Sequence, residues 1–226
     1  MTRPAPSDTD QLATWTSGFG REYTDRNTLT LDQMDAAFGE QFGIRKSAIY
    51  RQLVGPDRLP TGRVLEVGCN IGLQLRLLEV ANPGLEFHGL EPQGYAIERA
   101  RNFAPNMHFH PGTAFALPFP DASFDLVMTH GVLIHIHPDD LPKALREIVR
   151  VSRRFILAHE YFAPDTVEIP YHGKTGLLWK TDFARRYREV APDLKEVEIR
   201  YYPYSAAAGG PDLVDQVALF EKGPAA

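Results

Sequence analysis

Apolar positions along the chain fall in two rhythms, short unbroken runs and longer stretches in which they recur every three or four residues. The runs at 63–68, 85–90, 107–110, 124–129 and 154–160 predict buried strands, and the helical patterns at 72–81, 93–103 and 140–151 lie between them. Such alternation predicts an α/β chain with a mostly parallel sheet and helices on both faces. Further on, 181–190 reads as a helix, and 196–202 and 215–221 read as strands joined through the Ala-Gly-Gly-Pro segment 208–211. Adjacent strands with a turn between them predict an antiparallel pair closing one sheet edge. Ahead of the first strand, 1–10 reads as a frayed tail, while Met34, Phe38, Phe42, Ile44, Ile49 and Leu53 predict one or two amphipathic helices over 32–53. The chain thus divides into an N-terminal helical lid or side wall, 1–53, and a sheet domain, 54–226, with a substrate loop at about 161–182.

The first predicted strand ends in Glu66-Val67 and passes into Gly68-Cys69-Asn70-Ile71-Gly72, from which the helix carrying Leu73, Leu75, Leu77 and Leu78 opens directly. Glycines at 68 and 72 take side chains away where backbone must approach a ligand, and the helix start presents free N–H groups. Glu91 follows Gly72 by nineteen residues and ends the second strand, a spacing that suits a carboxylate gripping ribose hydroxyls. A glycine turn alone also occurs where nothing binds. The order strand, turn, helix, strand, terminal acid points instead to a nucleoside cofactor.

Composition narrows the partners. The chain has 226 residues and a net charge of −5 with the signs mixed, so no basic face suits nucleic acid. No apolar run approaches a membrane span, and the N-terminus lacks a signal-peptide core, so a cytoplasmic protein outside the membrane is expected. Cys69, the single cysteine, has no Cys or His partner at zinc-like spacing, so no metal is expected and its thiol reads as a small group facing the sheet. Nothing in the composition chooses an oligomeric state.

With these residues in hand the chain resembles the class I S-adenosylmethionine-dependent methyltransferases. Glu66 to Gly72 stands as the first motif, Glu91 as the ribose acid, and Leu117-Pro118-Phe119-Pro120-Asp121-Ala122-Ser123-Phe124-Asp125-Leu126-Val127 as the signature between the third and fourth strands. It is most similar to the methylases associated with pseudaminic acid biosynthesis, through Trp15, 19–27, Gly68 to Gly72, 130–136 with Pro138, Glu160-Tyr161 and 167–171. The resemblance implies a Rossmann-like seven-stranded sheet, mostly parallel with an antiparallel closing strand. It also implies S-adenosyl-L-methionine as cofactor, held by Tyr23, Asn27, Glu66, Gly68, Cys69, Asn70, Gly72, Glu91, Pro92, Gln93, Thr113, Ala114, His130, Gly131 and Val132.

Two positions depart from the wider pattern. Asn70 replaces the middle glycine, where it tolerates left-handed backbone and brings an amide toward the methionine end of the cofactor. Thr113 stands where many relatives place an aspartate on the adenine amine. His135, just beyond the fourth strand, is the candidate base, with a structural imidazole as the alternative. His130 is expected to line the methionine pocket through its backbone, and His137 to be exposed.

Glu160, Tyr161, Tyr171 and Lys180 are the expected substrate contacts, Arg185 and Arg186 a solvated helix face, and Trp15 and Phe19 core packing against the sheet. Tyr23 and Asn27 are expected to close over the site. The expected reaction carries a methyl group to oxygen or nitrogen of a small, acidic metabolite such as an acidic sugar or sugar nucleotide. The alternatives are the same fold used for other chemistry or as a partner subunit, and, on the generic turn alone, a nicotinamide oxidoreductase.

Overall fold

The computed structural model describes residues 9–26, 29–204 and 213–223; Asn27 and the 208–211 connection lie outside the described residues. Four helices come first, α1 (Asp10–Trp15), α2 (Gly18–Arg26), α3 (Leu31–Phe42) and α4 (Lys46–Val54). The strands β1 (Gly62–Val67), β2 (Leu85–Glu91), β3 (His108–Pro111), β4 (Phe124–His130) and β5 (Ser152–Phe162) then alternate with α5 (Leu73–Ala81), α6 (Gly94–Phe103) and α7 (Leu141–Val151). A small hairpin of β6 (Val167–Glu168) and β7 (Trp179–Lys180), then α8 (Phe183–Val190), β8 (Lys195–Pro203) and β9 (Val214–Glu221), complete the described chain.

Among the described residues seven strands form one sheet in the order β3-β2-β1-β4-β5-β9-β8. Strands β1 to β5 are parallel, and β9 runs antiparallel to both β5 and β8. The predicted closing pair is therefore present at one edge. A sheet covered on both faces needs apolar residues at successive positions, and β1 supplies them: Val64 faces one buried cluster, Leu65 and Val67 the other. The first cluster is roofed by α4 and α5, where Ile49, Tyr50, Leu53 and Val54 are buried to within 1%. The second is covered by α7, whose buried Leu141, Ala144, Leu145, Ile148 and Val151 repeat at helical spacing.

Element ends have local causes. Thr30 and Gln33 form a reciprocal cap at the start of α3, and Gly43 in the left-handed region at φ 73° stops it, which is why 32–53 makes two helices. The Asp182 carboxylate accepts from the Arg185 amide, so α8 begins at Phe183 rather than 181. β5 extends past its apolar run to Phe162 because β9 continues the ladder there, Phe162 facing Val214.

Gly89 in β2 has no room for a side chain: a Cβ would lie 2.5 Å from Cys69 Sγ and 2.9 Å from the Phe109 ring. The Gly89→Ala variant is expected to lose about 1–3 kcal/mol of stability in chemical denaturation, through overpacking beneath the first turn.

Candidate functional site

Beyond Val67 the chain turns through Gly68 (φ 76°), Asn70 (φ 48°) and Gly72 (φ 79°) into α5. The turn is bonded to the end of β2. Amides of Gly68 and Cys69 donate to the Leu90 carbonyl at 2.7 and 3.0 Å, and the Asn70 amide donates to Glu91 Oε2 at 3.0 Å. The Gln93 amide donates to Glu91 Oε1, also at 3.0 Å. Each carboxylate oxygen thus accepts one backbone bond and keeps a lone-pair site for a ligand. Burial outweighs those two amides and pushes the Glu91 pKa up to about 7. Glu66, 1% exposed, is also held well above the usual carboxylate range by burial, against the Leu75 amide and the Lys46 charge, and its Oε2 has no hydrogen-bond partner. A buried carboxylate oxygen in that state calls for a donor.

These groups wall a cavity of about 290 Å³ at the C-terminal ends of β1, β2 and β4. Tyr23, Glu66, Gly68, Cys69, Asn70, Glu91, Pro92, Thr113, Ala114, His130, Gly131, Val132 and His135 all line it. Two predicted contacts do not. Gly72 shapes the turn instead: a Cβ there would press on the Phe109 ring at 3.0 Å. Gln93 is spent on the N-terminal helices, its Nε2 donating to the Trp15 carbonyl at 2.8 Å and its Oε1 accepting from Thr24 at 3.2 Å. The Asn70 side chain is also engaged internally, Nδ2 donating to Thr24 Oγ1 and Oδ1 accepting from the Ile71 amide, both at 2.9 Å. Its place in the wall comes with its left-handed backbone.

None of the four expected substrate residues lines the cavity, and for Glu160 the reason is strand alternation. Glu160 shares the α7 face with Ala158, is 1% exposed, and its carboxylate accepts from the Val132 and Ile134 amides at 3.3 and 3.4 Å, fixing the loop after β4 from below. Burial raises its pKa to about 7. Tyr161 points the other way, toward Tyr204. Lys180 pairs with Val167 in the hairpin and lies near Asp215, outside the cavity wall. Tyr171 stands behind the wall, its ring against Trp15 and His135 with centroids 6.4 and 5.1 Å apart.

Trp15 and Phe19 do not pack on the sheet. Trp15 lines the cavity, its ring centroid 4.5 Å from that of His135 in a tilted contact and 5.2 Å from that of Tyr23 edge-on, and its buried Nε1 has no partner; Phe19 packs on Trp15 and Tyr171. Glycine at 20 permits this, since a Cβ there would overlap the Trp15 carbonyl. Gln11 Nε2 donates to the Gly176 carbonyl at 2.9 Å, joining α1 to the 170–177 loop. Arg185 and Arg186 are half-buried rather than a freely solvated face: both meet Glu189, and their guanidinium groups also donate to the Pro164 carbonyl and the Thr166 hydroxyl. His137 is half-buried on the Trp179 ring rather than exposed.

His135 Nδ1 donates to the Leu177 carbonyl at 2.6 Å, which leaves Nε2 as the acceptor. Burial lowers its pKa to about 4 despite that bond. Tyr23 is held protonated, its pKa pushed to about 12 by burial and then by Tyr171, Tyr161 and Glu91. Sequence reading missed a polar chamber beside the wall. Lys46, 4% exposed, contacts His130 Nε2 and lies over the Phe38 ring, while His159 Nε2 donates to Asp215 at 2.9 Å. Burial lowers the Lys46 pKa to about 7 against the pull of Asp215, Glu66 and Asp35. A lysine at a helix start carries no signal of burial in the sequence.

Residues 65–154 match the family model of a methyltransferase domain. An uncharacterized methyltransferase of Schizosaccharomyces pombe is 34% identical over 104 residues, 41% of this chain and 37% of its own. The uncharacterized methyltransferase YcgJ of Bacillus subtilis is 34% identical over 113 residues, 46% and 43% of the two chains. The chain thus spans about two fifths of these relatives. The solved 1,6-didemethyltoxoflavin-N1-methyltransferase of Burkholderia thailandensis, with bound 1,6-didemethyltoxoflavin and S-adenosylhomocysteine, superposes with a TM-score of 0.67 at 18% identity, covering 98% of this chain and 92% of that one. The fold is therefore the Rossmann-like methyltransferase sheet, which agrees with the strand order and the closing pair.

Replacing Glu160 tests the support of the 132–134 loop. A carboxyl whose folded pKa lies above its unfolded value contributes stability that is present at low pH and lost as pH rises to about 7. Relative to Glu160→Gln, the wild type is expected to lose up to about 3 kcal/mol between pH 4.5 and 8, measured by urea unfolding at each pH.

Proposed function

We propose that this chain is an S-adenosylmethionine-dependent methyltransferase acting on oxygen or nitrogen of a small, acidic metabolite. The observation that carries the reading is the Glu91 carboxylate, bonded by the Asn70 and Gln93 amides at the cavity wall, within the segment that matches a methyltransferase domain. The residues present fit the cofactor. Glu91 offers two lone-pair sites to a ribose diol, the unpartnered Glu66 Oε2 suits a donor on the cationic methionine end, and Thr113, Ala114 and Phe115 line the cavity where an adenine belongs. When bound, the sulfonium supplies an activated methyl group.

The protein's own work is then orientation and water exclusion. Helices α1 and α2 act as the lid: Trp15, Tyr23 and Leu12 stand in the cavity wall, and the Thr24 hydroxyl ties α2 to the first turn. His135 holds its proton on Nδ1 and offers Nε2 to the acceptor's hydroxyl or amine hydrogen. With a pKa of about 4 it orients that hydrogen better than it removes it. The neutral form of Lys46, beside His130, is the stronger base near the site. Support for an acidic substrate comes from two cations beside the lid aromatics: Arg26, at the end of α2, lies 6.0 Å from the Tyr23 ring centroid, and Lys174, in the 170–177 loop, 5.1 Å from that of Phe19. An acidic sugar, as in the pseudaminic-acid-associated branch that the chain resembles, fits that charge. No helix among the described residues is long and apolar enough to cross a membrane, which is compatible with a cytoplasmic enzyme.

Titration calorimetry with S-adenosylmethionine and S-adenosylhomocysteine is the decisive experiment. Binding of both is expected, weakened about tenfold or more in Glu91→Ala, a loss of roughly 1.4 kcal/mol or more. No heat from a folded sample would overturn the reading. Because an ionised Glu91 accepts ribose hydroxyls better, affinity is expected to rise from pH 6 to pH 8, and this slope is expected to flatten in Glu91→Gln. Once an acceptor is found, His135→Ala is expected to lower kcat with little change in cofactor affinity.

A further inference from the structure

At the β3 edge of the sheet, strand pairing assembles a cluster outside the cavity. Glu86 and His88 alternate along β2 onto one face, and the parallel register sets His88 opposite His108 of the edge strand β3. Glu86 Oε1 lies 2.7 Å from His88 Nε2 and 4.0 Å from His108 Nε2, and one ligand atom from each of the three residues falls within 4.8 Å of the others. None of these residues lines the cofactor cavity.

We propose that Glu86, His88 and His108 bind a divalent transition-metal cation of the zinc class, with His110 orienting the central ligand. Two imidazoles and one carboxylate make a three-ligand zinc set with a fourth position left to water. Ligand atoms around a tetrahedral zinc lie about 3.3 Å apart, inside the span seen here, and Glu86 and His108 have half their side-chain surface exposed and room to adjust. His88 is the fixed member, 5% exposed and stacked between the His108 and His110 rings at 4.8 and 5.4 Å.

Its Nδ1 lies 3.1 Å from His110 Nε2. As the chain stands Nε2–H donates to the Glu86 carboxylate; a metal at that nitrogen takes the place of the proton, and Nδ1–H then donates to His110, the arrangement that metal-bound imidazoles take. The opposing charge is Arg63, whose Nε is 3.7 Å from Glu86 Oε1; its guanidinium is drawn aside onto the Phe124 ring and the Ser123 carbonyl. The cation clasps β3 to β2, and β3 runs directly into the 112–114 turn of the cavity wall, so the bound metal stiffens that wall.

Zinc chloride titrated calorimetrically into the chelator-treated full chain is expected to fill one site in the low micromolar range or tighter. His108→Ala, an exposed position that leaves the core intact, is expected to weaken it about tenfold or more, and Glu86→Gln likewise, while S-adenosylhomocysteine binding in metal-free buffer stays unchanged. X-ray absorption of the loaded protein is expected to count two imidazole ligands. No binding by the wild type overturns the proposal, and so does equal binding by wild type and His108→Ala, which would place the zinc elsewhere on the surface.

Discussion

Two backbone amides, those of Asn70 and Gln93, close on one buried carboxylate, and the geometry of the whole site follows from that closure. Glu91 bonds the loop after β1 to the loop after β2 while the Leu90 carbonyl takes the amides of Gly68 and Cys69. The two parallel strand ends are thereby locked at a fixed separation, and the cavity is the space between them and the loop after β4. Holding a carboxylate out of water is costly unless it is paired, and here two amides offset only part of the cost. Glu66 adds a second carboxylate in the same wall, only partly compensated by the Leu75 amide and the Lys46 charge and with its Oε2 unpartnered. A site built this way favours a ligand that brings hydroxyl donors and positive charge.

The N-terminal helices join this arrangement through polar side chains rather than through the core. Asn70 reaches Thr24, Thr24 reaches Gln93, and Gln93 reaches the Trp15 carbonyl, so one chain of hydrogen bonds spans the first turn, the second turn and the lid. Such a network gives direction at modest net stability. It holds Trp15 over the cavity, and on the other side Gln11 and His135 each bond a carbonyl of the 170–177 loop. Helices α1 and α2, the 170–177 loop and the strand ends are in this way coupled around the cavity, while α3 and α4 are anchored separately by buried apolar contacts.

Much of the architecture was legible in the amino-acid sequence. Strand–helix alternation, the glycine turn and Glu91 are local patterns with a physical reading, and each element of the sheet lies within a few residues of its expected place. Site residues adjacent to those patterns were legible too: Glu66 to Asn70, Glu91 and Pro92, and Gly131 with Val132 all wall the cavity. Others were not. Gln93 and Gly72 stand beside cavity-lining residues in the sequence yet serve the N-terminal helices and the Phe109 ring, and Glu160 faces the interior because a strand turns successive side chains to opposite faces.

The sequence by itself determined what local physics determines: where apolar periodicity makes strands and helices, where a left-handed turn must occur, and which carboxylate ends the second strand. Only the tertiary structure decided what stands opposite what. It buried Lys46 against His130, set Trp15 over the cavity instead of the sheet, and brought His108 beside His88 across a strand pairing. Those encounters depend on packing and register between segments far apart in the chain, and no single segment carries the information that settles them.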